Sequence, residues 1–179
     1  MKRRTYLNHL WGGTLALTFN PFEVWAKVET AGIKAADELL LFEALADLII
    51  ELPEASISEY TQWANFVHCY ATHFVSVKQK EAFFAGSKAF ASYCQTYHQA
   101  PFEQLERQVQ KDLLESLFAE SLENQFPKGT KWIKQFRTYL MFAFYTSERG
   151  ATQQLTYLPI PGKYEGDLPM QPNQKAWTL

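Results

Sequence analysis

The chain has 179 residues, which fits one domain, and 47% of them are apolar and 16% aromatic, ample for a packed core and too apolar for disorder. Its formal net charge is −2 with no basic stripe, which argues against nucleic acid and acidic membrane surfaces as partners. No run of about 18 apolar residues occurs, so no ordinary transmembrane helix is encoded.

The N-terminus reads MKRRTYLNHLWGGTLALTFNPFEVWAK. Arg3-Arg4-x-Tyr6-Leu7, followed by a short apolar stretch over residues 10–19, has the form of a twin-arginine-type signal peptide spanning residues 1–26. Val24-x-Ala26 places modest side chains where a signal peptidase needs them, so Ala26 is the expected cleavage position. Trp11 and Asn20-Pro21 depart from an ideal leader. The alternatives are an ordinary N-terminal helix or a retained anchor. Loss of residues 1–26 removes Lys2, Arg3, Arg4 and Glu23 and leaves a net charge of −4.

Residues 27–150 read as a helical domain. Leu41, Leu45, Leu48 and Leu52 recur at helical spacing and stop near Pro53. Ser56-x-x-Glu59 is a capping-box pattern opening the next helix, where Tyr60, Trp63, Val67, Tyr70, Phe74 and Val77 step by three and four. Phe83, Gly86, Phe90, Tyr93 and Tyr97 repeat that step, and Gly86 permits a close helix approach. Pro101 suits a first helical position, ahead of Phe102, Leu105, Val109, Leu113 and Leu117. After the break at Phe126-Pro127-Lys128-Gly129, Thr130 is the expected N-cap of a last helix carrying Ile133, Phe136, Leu140 and Phe144. These segments predict an all-α fold, a bundle of about five helices joined by short connections, with most of the aromatic stripes in the core.

The pattern changes after Glu148. Residues 151–179 hold Pro159, Pro161, Pro169 and Pro172, half of the eight prolines, and are expected to form an extended tail. Tyr157, Leu158, Ile160, Tyr164, Leu168, Met170 and Trp177 make that tail too apolar to be free in solvent. It packs either on a partner, for which extended aromatic segments are suited, or on its own domain.

Few chemical motifs are present. Glu-x-x-His, His-Glu-x-x-His, Gly-x-Gly-x-x-Gly, Gly-x-Ser-x-Gly, Walker loops and Cys-x-x-Cys do not occur. His68, Cys69 and His73 form a weak metal candidate, because the two histidines are five apart on one helix. His98 falls near a helix end, where a cation is favoured. Cys69 and Cys94 read as two buried thiols on neighbouring helices, although an oxidising compartment would permit a disulfide. The polar run Thr146-Ser147-Glu148-Arg149-Gly150 reads as a helix end, with Gly150 as C-cap and Arg149 near the negative end of the dipole. No catalytic, cofactor-binding or metal residue is assigned in this chain.

The stretch FYTSERGATQ over residues 144–153, its continuation LTYLPIPGKYEG over residues 155–166, and Lys175-Ala176-Trp177 resemble the C-terminal pattern of the gluconate 2-dehydrogenase subunit 3 family. The helical middle and the leader fit the family in layout. Two positions depart from it. Ile49-Ile50 is followed by Glu51-Leu52-Pro53-Glu54, where relatives often carry a Thr- and Gly-containing turn, and Asp167 stands where relatives often have cysteine. The resemblance implies a small, non-catalytic subunit of a periplasmic, membrane-associated sugar or gluconate dehydrogenase. FAD is expected on a glucose-methanol-choline-type large subunit, with a cytochrome c subunit as a further electron acceptor. The leader would export the folded complex, and membrane association would come through the complex or an uncleaved leader. Expected partner contacts are Tyr145, Ser147, Glu148, Gly150, Tyr157, Pro161, Gly162, Tyr164, Gly166 and Trp177. The alternatives are an independent exported chaperone or scaffold, or a small metal-dependent enzyme.

Overall fold

Five apolar-faced helices account for most of the computed structural model, which describes residues 36–52, 54–119, 121–122, 124–157 and 175–178. The leader residues Arg3, Arg4, Tyr6, Leu7 and Ala26 lie outside the described residues, as do Pro161, Gly162, Tyr164, Gly166 and Asp167. The helices are α1 (Ala36–Ile50), α2 (Ile57–His73), α3 (Val77–His98), α4 (Arg107–Phe118) and α5 (Pro127–Thr146). The expected all-α bundle of about five helices is what forms. None of the helices among the described residues is long and apolar enough to cross a membrane.

Helix α1 buries Leu41, Phe42, Leu45, Ala46 and Leu48 against α2. It ends at Glu51, whose φ of 42° is left-handed, a conformation that glycine adopts more readily. Leu52 therefore leaves the helix. It is held by Tyr60, whose hydroxyl donates to the Leu52 carbonyl at 3.0 Å and accepts from the Leu52 N–H at 3.3 Å. Helix α2 opens at the expected capping box. The Glu59 carboxylate accepts from the Ser56 N–H at 2.8 Å and from the Ser56 hydroxyl at 3.0 Å.

Three boundaries differ from the sequence expectation, each for a local reason. Val77 does not continue α2: the helix stops at His73, and Ser76 caps α3 through a second box with Gln79. Val77 is consequently the first residue of α3 and 73% exposed. Pro101 does not open a long helix. It precedes a single 3₁₀ turn, Phe102–Gln104, after which Leu105 is extended (φ −71°, ψ 152°) and α4 starts at Arg107. The buried Gln110 side chain ties that turn to α4 by donating to the Phe102 carbonyl at 2.7 Å. Thr130 is not an N-cap either. Helix α5 begins with Pro127 in its first turn, where the missing N–H is not needed, and the buried Thr130 hydroxyl donates to the Phe126 carbonyl.

Helix α5 is central and packs on α2, α3 and α4. Its contact with α2 is a ladder of rings: Trp63–Phe144 at 5.3 Å, Phe66–Phe142 at 5.6 Å and Tyr70–Tyr139 at 4.8 Å. Numbers rise on one helix as they fall on the other, so the two run antiparallel and the start of α2 lies beside the end of α5. The contact with α3 is closer. A Cβ placed on Gly86 would lie 2.6 Å from Trp132 Cβ, so the buried Trp132 side chain rests directly on the α3 backbone. Around it gather Phe42, Phe83, Phe90 and Phe136, with ring centroids 5.2–6.2 Å from the indole. On the surface, Arg107 pairs with Asp47 and Lys111 with Glu51, joining α4 to the end of α1 by exposed ion pairs that add little.

The helical path carries past α5. A π-helical turn, Gly150–Gln154, leads into a three-residue strand, β1 (Leu155–Tyr157), which pairs in parallel with β2 (Ala176–Thr178). Leu155 stands opposite Ala176, Thr156 opposite Trp177 and Tyr157 opposite Thr178.

The Gly86–Trp132 contact makes a direct prediction. Gly86→Ala should destabilise the bundle by about 1–3 kcal/mol through overpacking, despite the better helix propensity of alanine. Urea denaturation followed by circular dichroism measures it, and equal or greater stability of the variant would contradict the close approach.

Candidate functional site

The segment that carries the family-like pattern is built as a sharp turn at the end of α5. The Thr146 hydroxyl donates to the Phe142 carbonyl at 2.8 Å, holding the last turn. Ser147 then leaves the helix (φ −74°, ψ 158°) and occupies the C-cap position that the sequence had assigned to Gly150. Its hydroxyl donates to the Phe144 carbonyl at 2.6 Å and accepts from the Gly150 N–H at 3.3 Å. Gly150 is needed for another reason than a left-handed cap, because its φ is not positive. A Cβ there would lie 2.0 Å from the Phe144 carbonyl oxygen, so only glycine lets the turn fold back onto α5. The turn continues with Ala151 N–H on the Ser147 carbonyl at 2.9 Å and the Thr152 hydroxyl on the Glu148 carbonyl at 2.7 Å.

One polar contact fastens this turn to the body of the bundle. Arg149 lies across the start of α2, and its Nε and Nη2 donate to Oε1 and Oε2 of Glu59, the second at 3.2 Å. Its Nη1 donates to Gln153 Oε1 at 3.2 Å. Glu59 thus holds the helix cap and the guanidinium with the same carboxylate. The two side chains are only 23% and 22% exposed, and a forked pair of this kind fixes direction as well as distance. The hydrogen bond from Arg149, then that from the Ser56 N–H, holds the Glu59 carboxyl below its ordinary value of 4.5. Arg149 is raised by the same bond. Sequence reasoning identified Glu59 as a capping residue and Arg149 as a helix-end cation without joining them. They are 90 positions apart, and neither local pattern signals the other.

The turn and the first turns of α2 enclose an open cleft of about 370 Å³, lined by Glu59, Gln62, Trp63, Ser147, Glu148, Arg149, Thr152 and Gln153. Of the expected partner contacts, the structure brings Ser147 and Glu148 together here. Tyr145 is on the adjoining turn of α5, 44% exposed, its ring 5.1 Å from Phe144. Gly150 is buried, and its contribution is the close backbone approach. Tyr157 and Trp177 belong to the paired strands, in neighbouring rungs of the ladder.

The histidine candidates do not converge. His68 is half-buried between Phe42 and Phe84, 4.0 Å from Glu38, and burial lowers its pKa. His73 is exposed at the end of α2, and no group of three or more His, Cys, Asp or Glu side chains is placed to hold a metal among the described residues. His98 is the last residue of α3. Cys69 and Cys94 are buried thiols with no disulfide between them, and burial pushes Cys94 up to about 12. The thiol reading holds.

The shared carboxylate has a pH signature. Because the folded state holds Glu59 below 4.5, its contribution is present above that value and is lost as pH falls through the folded pKa. Glu59→Gln keeps an oxygen for the Ser56 cap and loses the charge facing Arg149. The variant should melt lower than the parent near pH 7, and the difference should shrink as pH falls below 4.5 and through the lowered folded value. Thermal melts at a series of pH values check this, and a difference independent of pH would refute it.

The pattern described as Gluconate 2-dehydrogenase subunit 3 matches the chain over residues 36–162, which takes in all five helices, the junction and β1. No curated protein and no solved structure matches the chain. The matched region covers well over half of the sequence, and the chain belongs to the gluconate 2-dehydrogenase subunit 3 family.

Proposed function

We propose that this protein is the non-catalytic small subunit of a periplasmic, membrane-associated sugar or gluconate dehydrogenase. Its partner is a large flavoprotein of the glucose-methanol-choline type that holds FAD and carries out the hydride chemistry. The observation that carries this reading is the family match over residues 36–162, since the family is named for a subunit of gluconate 2-dehydrogenase and so implies partner subunits. The body supports it physically. The helices bury their aromatic faces against one another, so the bundle is formed without help, while the junction offers a polar cleft with an exposed tyrosine beside it. Such a division suits a scaffold that presents one end to a larger protein.

The leader at residues 1–26 extends the proposal. The twin-arginine route carries proteins already folded and loaded with cofactor, so one leader can export two subunits. In this reading the small subunit binds the large one, assists its maturation and supplies the export signal for both. A cytochrome c subunit would then take electrons from the flavin.

A tagged full-length chain, recovered from its native host, tests the reading. A large flavoprotein with dehydrogenase activity should copurify, and recovery of the tagged chain alone would end the proposal. Truncation after Glu148 should leave the helical circular dichroism signal in place and abolish copurification. Global unfolding of the truncated chain would instead make residues 149–179 part of the core.

A further inference from the structure

The junction cleft contains two carboxylates and one guanidinium, and these groups differ in what they leave available. Three of the five Arg149 N–H donors are engaged: Nε and Nη2 each give one to Glu59 and Nη1 gives one to Gln153. Glu59 is engaged by Arg149 and by both donors of Ser56. Glu148 lines the same cleft, is exposed, and has no side-chain hydrogen bond or ion pair among the described residues. The hydroxyl protons of Ser147 and Thr152 are already given to the Phe144 and Glu148 carbonyls, so these side chains offer lone pairs rather than donors. The cleft lies where α5 gives way to the π-turn; the Phe142, Phe144, Ser147 and Glu148 carbonyls there are already taken by the turn's own donors, and the opposing N-terminus of α2 carries the Glu59 cap. The unpaired Glu148 charge and the Ser147 and Thr152 lone pairs have the same sign.

We propose that this cleft receives a basic side chain, a lysine or arginine, from a partner protein, with Glu148 as its counter-ion. The inference rests on the subunit reading and adds to it the chemistry of the contact. A volume of about 370 Å³ is at the small end of binding pockets and takes one long side chain rather than a folded element. Trp63 also lines the cleft but is only 1% exposed, so the surface offered there is chiefly polar. An acidic partner group is disfavoured because it would stand beside Glu148 and compete with Glu59 for Arg149, the only cation lining the cleft among the described residues. The negative charge of the chain beyond residue 26 gives the same preference at longer range.

The test uses the tagged full-length chain with Glu148→Gln, Glu148→Lys and, as a charge-reversal control on the exposed face of α3, Glu81→Lys. The quantity read is the flavoprotein retained per tagged chain over a series of salt concentrations. Glu148→Gln should reduce retention roughly three- to tenfold at low salt and flatten its salt dependence. Glu148→Lys should reduce it further, and Glu81→Lys should leave it unchanged. All three should melt with the parent, and Glu148→Gln decides the matter if the reversal unfolds the chain. Retention unaffected by either Glu148 variant overturns the proposal and leaves the subunit reading standing. So does a loss confined to Glu148→Lys, which would place Glu148 near the interface without a pairing role. A parent chain that retains no flavoprotein overturns both.

Discussion

The contact on which the rest of the bundle depends is the indole of Trp132 lying on the bare backbone of Gly86. Two helices cannot approach this closely unless one of them lacks a side chain at the crossing. Once α3 and α5 are that near, the surrounding phenylalanines can reach one another: Phe42 from α1 meets Phe83 and Phe136, and Phe90 meets Phe102 from the 3₁₀ turn. Four elements are thereby committed to one position. Glycine weakens a helix by about 1 kcal/mol, a cost more than offset by the aromatic area that the short distance allows to be buried.

Much of the helical body is legible in the sequence, because its signals are local. The three- and four-residue steps place Trp63, Phe83, Phe90, Phe136 and Leu140 in the core, where all are buried. The Ser56–Glu59 box is a four-residue pattern and folds as such. Errors came where one residue fits two local states. Proline suits the first turn of a helix and also the extended residue ahead of it. Pro127 takes the first role, and Pro101 takes the second. Val77 keeps the helical step of α2 and yet begins α3, since Ser76 and Gln79 cap there.

The site was legible only in part. Its residues stood out as a polar run after an apolar helix, but their arrangement depends on a partner 90 positions away. Glu59 is where the two scales meet. One carboxylate ends the exposed backbone of α2 and also sets the heading of everything that follows α5. A residue that looks generic in sequence, one capping glutamate among many, thus carries long-range geometry that no local pattern encodes.

The parallel pairing of β1 with β2 has a consequence for the end of the chain. Backbone groups make the ladder, and backbone groups are indifferent to side-chain identity. Residues 176–178 therefore hold their place beside β1 through main-chain groups, which any residue but proline supplies. Changing a residue there leaves the rungs in place, whereas removing the last few residues strips one rail from a ladder whose other rail is continuous with the junction.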